Sequence, residues 1–200
     1  MDAGAETFPR RVRILAPYVF LVLLLAVGTF VIWPQWRARN LAENERNAAT
    51  IIKTLCSAEA DFRANDRDGN GVNDFWTGDL AGLLRFGLIS RAVAEADLRP
   101  LVPLVRKPVP YHGYYIIAMV TDESETPIEE LRQETDKKSG KVHHRTKFGF
   151  CAYPVEYGVT GRNTFIVNEN NTVFWRHTYG DPMDHWPSHE DQRHDWALGD

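Results

Sequence analysis

From Asn47 to Trp76 the chain reads NAATIIKTLCSAEADFRANDRDGNGVNDFW, and the change of pattern at Asn65 decides how it folds. Before that point Ala48, Ile51, Ile52, Leu55, Ala58 and Phe62 recur at three- and four-residue steps. That is the spacing of one face of an α-helix, here predicted from about Asn40 to Ala64. Glu45, Arg46, Lys53, Glu59 and Arg63 read as lying mostly off that face. Such a helix needs a partner surface. After Asn65 the periodicity stops, and acid and amide side chains come at nearly every second position around Gly69 and Gly71.

That second pattern is the ligand pattern of a calcium loop. An EF-hand loop offers oxygens from positions 1, 3, 5, 7, 9 and 12, with glycine at 6 for the sharp turn. Counted from Asp66, those positions hold Asp66, Asp68, Asn70, the Val72 carbonyl, Asp74 and Thr77, with Gly71 at 6. The pattern fails only at the last place, where Thr77 stands instead of a bidentate glutamate; Asp79 would serve only if the loop ran differently. Calcium is a hard cation that takes six to eight oxygens, and short alternating acids can wrap one. A plain polar turn is the competing reading, since Asp, Asn and Gly are also ordinary turn residues. A bound calcium here would be structural, because nothing nearby resembles a nucleophile and its base.

Toward the front, ILAPYVFLVLLLAVGTFVIWP, Ile14 to Pro34, carries no charge and is long enough to span about 30 Å of hydrocarbon as a helix. Arg10, Arg11 and Arg13 precede it, and Trp33 and Trp36 stand where aromatic side chains favour the membrane interface. Pro34 is expected to end or kink the segment. A cleaved signal peptide with Ala26-Val27-Gly28 as its small-residue site, and a buried core helix, are the competing readings. The favoured organisation is a cytoplasmic N-terminus over 1–13, a transmembrane helix over 14–36, and an extracytoplasmic body over 40–200. It implies a single-pass protein of the inner (plasma) membrane, anchored by its N-terminal helix.

The rest of the chain reads as strands and short helices. Short helices are expected at Asp79–Phe86 and Ser90–Leu98, followed by a connector broken by Pro100, Pro103, Pro108 and Pro110. Tyr114–Thr121, Lys147–Pro154, Asn163–Asn168 and Thr172–Thr178 are rich in β-formers, and Asn170-Asn171 suits a tight hairpin turn. Residues 122–146 form an exposed, charged excursion that reads either as carrying a small helix, with Thr126, Pro127 and Glu129 as its capped start, or as a mobile loop. The stretch after Asp181 has no periodicity; Trp186 and Trp196 are the residues to pin it down. The fold class is therefore α+β: a transmembrane helix, then a long amphipathic helix packed on an antiparallel sheet.

The residues also resemble known families. NERNAATIIKTLCSAEADFRANDRDGNGVNDFW, Asn44 to Trp76, resembles the segment after the hydrophobic helix of bacterial type IV pilin-like and pseudopilin-like proteins. PVPYHGYYI and FGFCAYPVEYGVTGRNTFIVNENNTVFWR resemble a bacterial domain of unknown function found in exported or membrane-anchored proteins. The first resemblance implies a helix packed on a sheet, a calcium loop, and protein partners in the envelope or in a pseudopilus. The chain departs from prepilins in lacking their Gly-Phe-Thr-Leu-x-Glu type signal and any acid within the apolar run, so fibre formation is not carried over.

Other constellations are weaker. The net charge of −4 argues against a nucleic-acid partner. Cys56 and Cys151 allow one disulfide or two buried thiols. His177, His185, His189 and His194, with neighbouring acids, offer zinc ligands without an evident helical frame. An envelope enzyme would gather His112, Tyr114 and a carboxylate in a cleft, and a ligand-binding module would use exposed aromatics such as Trp175 and Tyr157. The leading expectation is a non-enzymatic, membrane-anchored structural or interaction module.

Overall fold

The computed structural model describes residues 10–101, 103–131 and 144–199, with side chains from residue 18 onward. Residues 1–9, the middle of the charged excursion at 132–143 (His143 included) and the side chains of Arg10, Arg11 and Arg13 lie outside the described set. The chain divides into two units, Met1–Asn40 and Leu41–Asp200.

The first unit is helical. Helix α1 spans Arg10–Val27, a π-helical turn follows at Gly28–Ile32, and helix α2 starts at Trp33 and runs to Ala64. Tyr18, Phe20, Leu23, Leu25, Phe30, Ile32, Trp33 and Trp36 are all exposed. Among the described residues this is the one helix long and apolar enough to cross a membrane, and none of its apolar window is buried. The expected break at Pro34 is not found: α2 continues through it. A proline ring collides with the carbonyl four residues back. Here that carbonyl belongs to Phe30, inside the wider π turn that precedes the proline. The Thr29 hydroxyl donates to the Leu25 and Ala26 carbonyls in the same turn.

The second unit is α+β. Helix α2 buries Ala48, Ile51, Ile52, Leu55, Cys56, Ala58 and Phe62, as the spacing predicts. It also buries Glu59, a correction to the reading that kept this charge off the apolar face. Helices α3 (Leu80–Arg85) and α4 (Arg91–Ala94) are capped by the side chains of Asp79 and Ser90. The strands are β1 (Tyr114–Ala118), β2 (Thr121–Asp122), β3 (Glu129–Glu130), β4 (Gly149–Pro154), β5 (Thr164–Asn168), β6 (Phe174–Arg176), β7 (His185–Trp186) and β8 (Ala197–Leu198), with α5 (His189–Asp195) before the last. The main sheet is antiparallel in the order β1-β4-β5-β6-β8. Asn171 takes a φ of 55° in the turn joining β5 to β6.

Both faces of this sheet are covered. Alternate residues Ile116, Phe150, Ala152, Phe165 and Val167 join α2 and the short helices in one core. Their neighbours Ile117, Cys151, Tyr153 and Ile166 join Met183, Trp186 and Trp196 in a second. Period-two alternation sends successive side chains to opposite faces, so the aperiodic C-terminal stretch is what keeps the second face dry. Cys56 and Cys151 thus fall in different cores, and both are free thiols.

Within the excursion no helix starts at Thr126: residues 124–127 bend, and Glu129–Glu130 form strand β3, antiparallel to β2. The reason is an ion-pair cluster. The Lys147 ammonium donates to Asp122 at 2.8 Å and to Glu129 at 2.9 Å, and His144 Nε2 lies 3.2 Å from Glu129. A capping glutamate would point back at its own helix; this one is held by the segment leading into β4. Burial alone would push the Asp122 carboxyl up, but hydrogen bonds from Lys147 and Ser124 outweigh it and hold it below the ordinary carboxylate range. A depressed carboxylate contributes stability above its unfolded pKa, about 4, and that contribution is lost as pH falls through the folded value. Lys147→Met is therefore expected to lower unfolding stability at pH 7 by about 2–4 kcal/mol. The deficit should shrink at pH 3, as read by denaturant unfolding of the full-length chain in detergent.

Candidate metal loop

The loop leaves α2 at Ala64 and alternates. Asp66, Asp68, Asn70 and Val72 are half-buried and Asp74 is buried, while Arg67, Gly69, Gly71 and Asn73 between them are exposed. The five residues of the calcium pattern are thus the inward set. Gly69 (φ 66°) and Gly71 (φ 79°) make the turns, and Asp66 itself sits at φ 44°. Its carboxylate accepts the backbone N–H groups of Asn70 at 3.1 Å and Gly71 at 3.0 Å.

Asn70 is the hub. Its side-chain amide donates to Asp68 at 2.9 Å and to Asp74 at 3.2 Å, and its Oδ1 accepts the Val72 N–H at 2.7 Å. The Val72 carbonyl accepts the Asp74 N–H at 3.1 Å. Among the described residues no three His, Cys, Asp or Glu side chains are gathered so as to hold a metal. Hydrogen bonds from the Asn70 amide bridge Asp68 and Asp74 instead.

The last ligand position resolves differently from the sequence reading. The Thr77 hydroxyl donates to the Leu131 carbonyl and is buried. Asp79 caps α3 through Gly82 at 2.7 Å and holds the Leu101 N–H at 2.6 Å. Both are held by partners outside the loop. A carboxylate from α2 stands where the chain leaves the loop: Glu59 is fully buried and accepts the Trp76 N–H at 2.8 Å. Burial drives its pKa well up; the Trp76 bond opposes this, and the nearby charge of Asp74 adds to it. The sequence held the signal, since Ile52, Leu55, Glu59 and Phe62 follow the helical period. Reading charges as surface residues hid it.

The other candidates disperse. Tyr114 is buried and its hydroxyl donates to the Asn163 carbonyl, while His112 packs edge-on to Tyr111. They do not form a pair. His185 lies beside Asp184, His177 beside Tyr157, and His189 and His194 belong to α5, a helical setting the sequence did not suggest. A groove of about 520 Å³ beside α2 is lined by Cys56, Arg63, Phe75, Phe148 and Glu169. Burial pushes the Cys56 thiol up to about 12, which leaves it a poor nucleophile. Trp175 and Tyr157, expected to be exposed, are half-buried and flank the His177 ring at 6.1 and 6.0 Å.

The comparison with known proteins assigns the chain to a family. A family model described as a protein of unknown function, DUF2950, matches residues 34–185. The chain belongs to this family. The DUF2950 match takes in α2, the Asp-rich loop and the strands through the start of β7, and it begins after the exposed apolar run. It agrees with the resemblance seen in residues 108–116 and 148–176, and carries nothing on pilins. No curated protein and no solved structure matches the chain.

Asp66 carries both backbone strain and two hydrogen bonds, and two variants separate them. Asp66→Ala is expected to lose about 2–4 kcal/mol of unfolding stability. Asp66→Gly, which tolerates positive φ, should lose about 1 kcal/mol less. Parallel denaturation curves of the two proteins make the comparison.

Proposed function

We propose that this DUF2950 protein is a non-catalytic, membrane-anchored module of the cell envelope, whose extracytoplasmic body binds protein partners and is stiffened by calcium in the Asp66–Asp74 loop. The observation that carries the reading is the run of exposed apolar side chains from Tyr18 to Trp33, in which only Ala26 and Gly28 are half-buried and only Thr29 is polar. Exposing such a run to water is costly, about 25 cal/mol per Å² of apolar surface. A bilayer removes the cost, and the helix satisfies its own backbone there. The inner membrane is the site proposed, with residues 1–13 in the cytoplasm.

The helix-on-sheet arrangement of the body supports a kinship with pilin-like and pseudopilin-like modules. Partners of that kind, envelope or pseudopilus proteins, fit it better than a fibre of its own, because the apolar run lacks the acid and the processing signal of prepilins. Calcium is supported by the inward alternation of Asp66, Asp68, Asn70, Val72 and Asp74.

The topology is tested in native membranes. The chain is expected to resist alkaline carbonate extraction, and its body to be cleaved by protease added to intact spheroplasts. Recovery of the mature chain from the soluble cytosol would refute the anchor. Cleavage only after lysis would refute the orientation.

A further inference from the structure

Glu59 is a costly residue for the middle of a core helix. It is fully buried among Leu55, Ala58 and Phe62, where an uncompensated carboxylate is strongly unfavourable. One oxygen, Oε2, is used by the Trp76 N–H. The other, Oε1, is buried and has no hydrogen-bond partner among the described residues. The charge that acts on it is that of Asp74, itself 1 % exposed and two residues before Trp76. Two acids are therefore buried where the charge of one acts on the other, at the end of a loop with three further half-buried oxygen-bearing side chains, Asp66, Asp68 and Asn70, and the Val72 carbonyl.

The loop lacks one thing, the glutamate of its twelfth position. Thr77 stands there with its hydroxyl committed to Leu131, and Asp79 is committed to α3 and Leu101. We infer that Glu59, reaching across from α2, supplies the missing carboxylate, so that calcium is held between the core helix and the Asp66–Asp74 loop. The ligand set would then be the side chains of Asp66, Asp68, Asn70, Asp74 and Glu59 with the Val72 carbonyl, a hard-oxygen set that meets the lower bound calcium takes. On binding, oxygen–metal bonds replace the Asn70 amide bonds to Asp68 and Asp74. The ion also removes the repulsion between Glu59 and Asp74. A calcium bound this way clamps the loop to the helix, where a loop with its own terminal glutamate would bind the ion alone.

This inference rests on the calcium reading of the loop, and one experiment separates the two. Calcium chloride is titrated calorimetrically into the full-length protein in detergent, as wild type, Glu59→Gln and Asp68→Asn. Wild type is expected to bind one calcium, and both variants to bind at least about tenfold more weakly. Melting in chelator adds a readout that a merely structural Glu59 would not give. Gln keeps an acceptor for the Trp76 N–H and removes the buried charge, so Glu59→Gln should melt at or above the wild-type temperature in chelator and gain little from calcium. If wild type and both variants bind no calcium, the loop reading falls and Glu59 with it. If wild type binds, Asp68→Asn is weakened and Glu59→Gln binds as wild type does, the loop stands and the Glu59 inference is overturned. Should Glu59→Gln fail to fold, Glu59→Asp decides the point: its shorter arm keeps the charge, and the inference requires the same tenfold weakening.

Discussion

A single bond from a buried carboxylate, Glu59 to the Trp76 N–H, ties together most of what surrounds it. It fixes where the chain must return after the Asp-rich loop, directly against α2. That return seats the Trp76 ring against Phe62 and Phe86, and over Gly82, where any side chain would overlap the indole. The indole N–H then reaches the Asp79 carbonyl, and the Asp79 carboxylate caps α3 and holds Leu101. Helix, loop, cap and connector form one chain of dependence. Removing a buried acceptor would strand a buried donor, the expensive side of hydrogen bonding.

Burying a carboxylate also sets an electrostatic condition. Glu59 beside Asp74 is tolerable if a proton or a cation balances the charge. The loop offers the donors a hard cation would use, arranged inward one residue in two. The calcium proposal therefore comes from two directions: the ligand pattern in the sequence, and an acid inside the core that the pattern did not contain. Elsewhere in the unit, ionic contacts do ordinary structural tasks. The Lys147 cluster binds β2 and β3 to the segment leading into β4, and Glu45 accepts the Arg162 and Asn163 N–H groups near the start of the core helix.

The legible parts were those governed by one local period. The stripe on α2 follows from its three- and four-residue spacing, strands β1, β4, β5 and β6 from β-branched and aromatic runs, and the β5–β6 hairpin from asparagine at positive φ. Features decided by distant partners were hidden. The segment after Asp181 gave only Trp186 and Trp196 as hints that it would cover a whole sheet face. Thr126–Glu129 has the look of a helix start, yet Lys147 and His144 claim Glu129 for a strand. Pro34 signalled a break, but a π turn just before it lets the helix run on. At the loop, spacing found Asp66 to Asp74 and could not find Glu59, which sits before the loop and joins it only through the fold. Family membership in DUF2950 accounts for residues 34–185 and brings no activity with it.

The most direct measurement is amide hydrogen exchange at Trp76 in the full-length protein, with calcium and with chelator. With its N–H held by a carboxylate inside the core, Trp76 is expected to exchange as slowly as the central residues of α2 and β4, and more slowly still with calcium. Exchange as fast as that of an amide in a short unstructured peptide, unchanged by calcium, would contradict both the buried tie and the ion proposed to complete it.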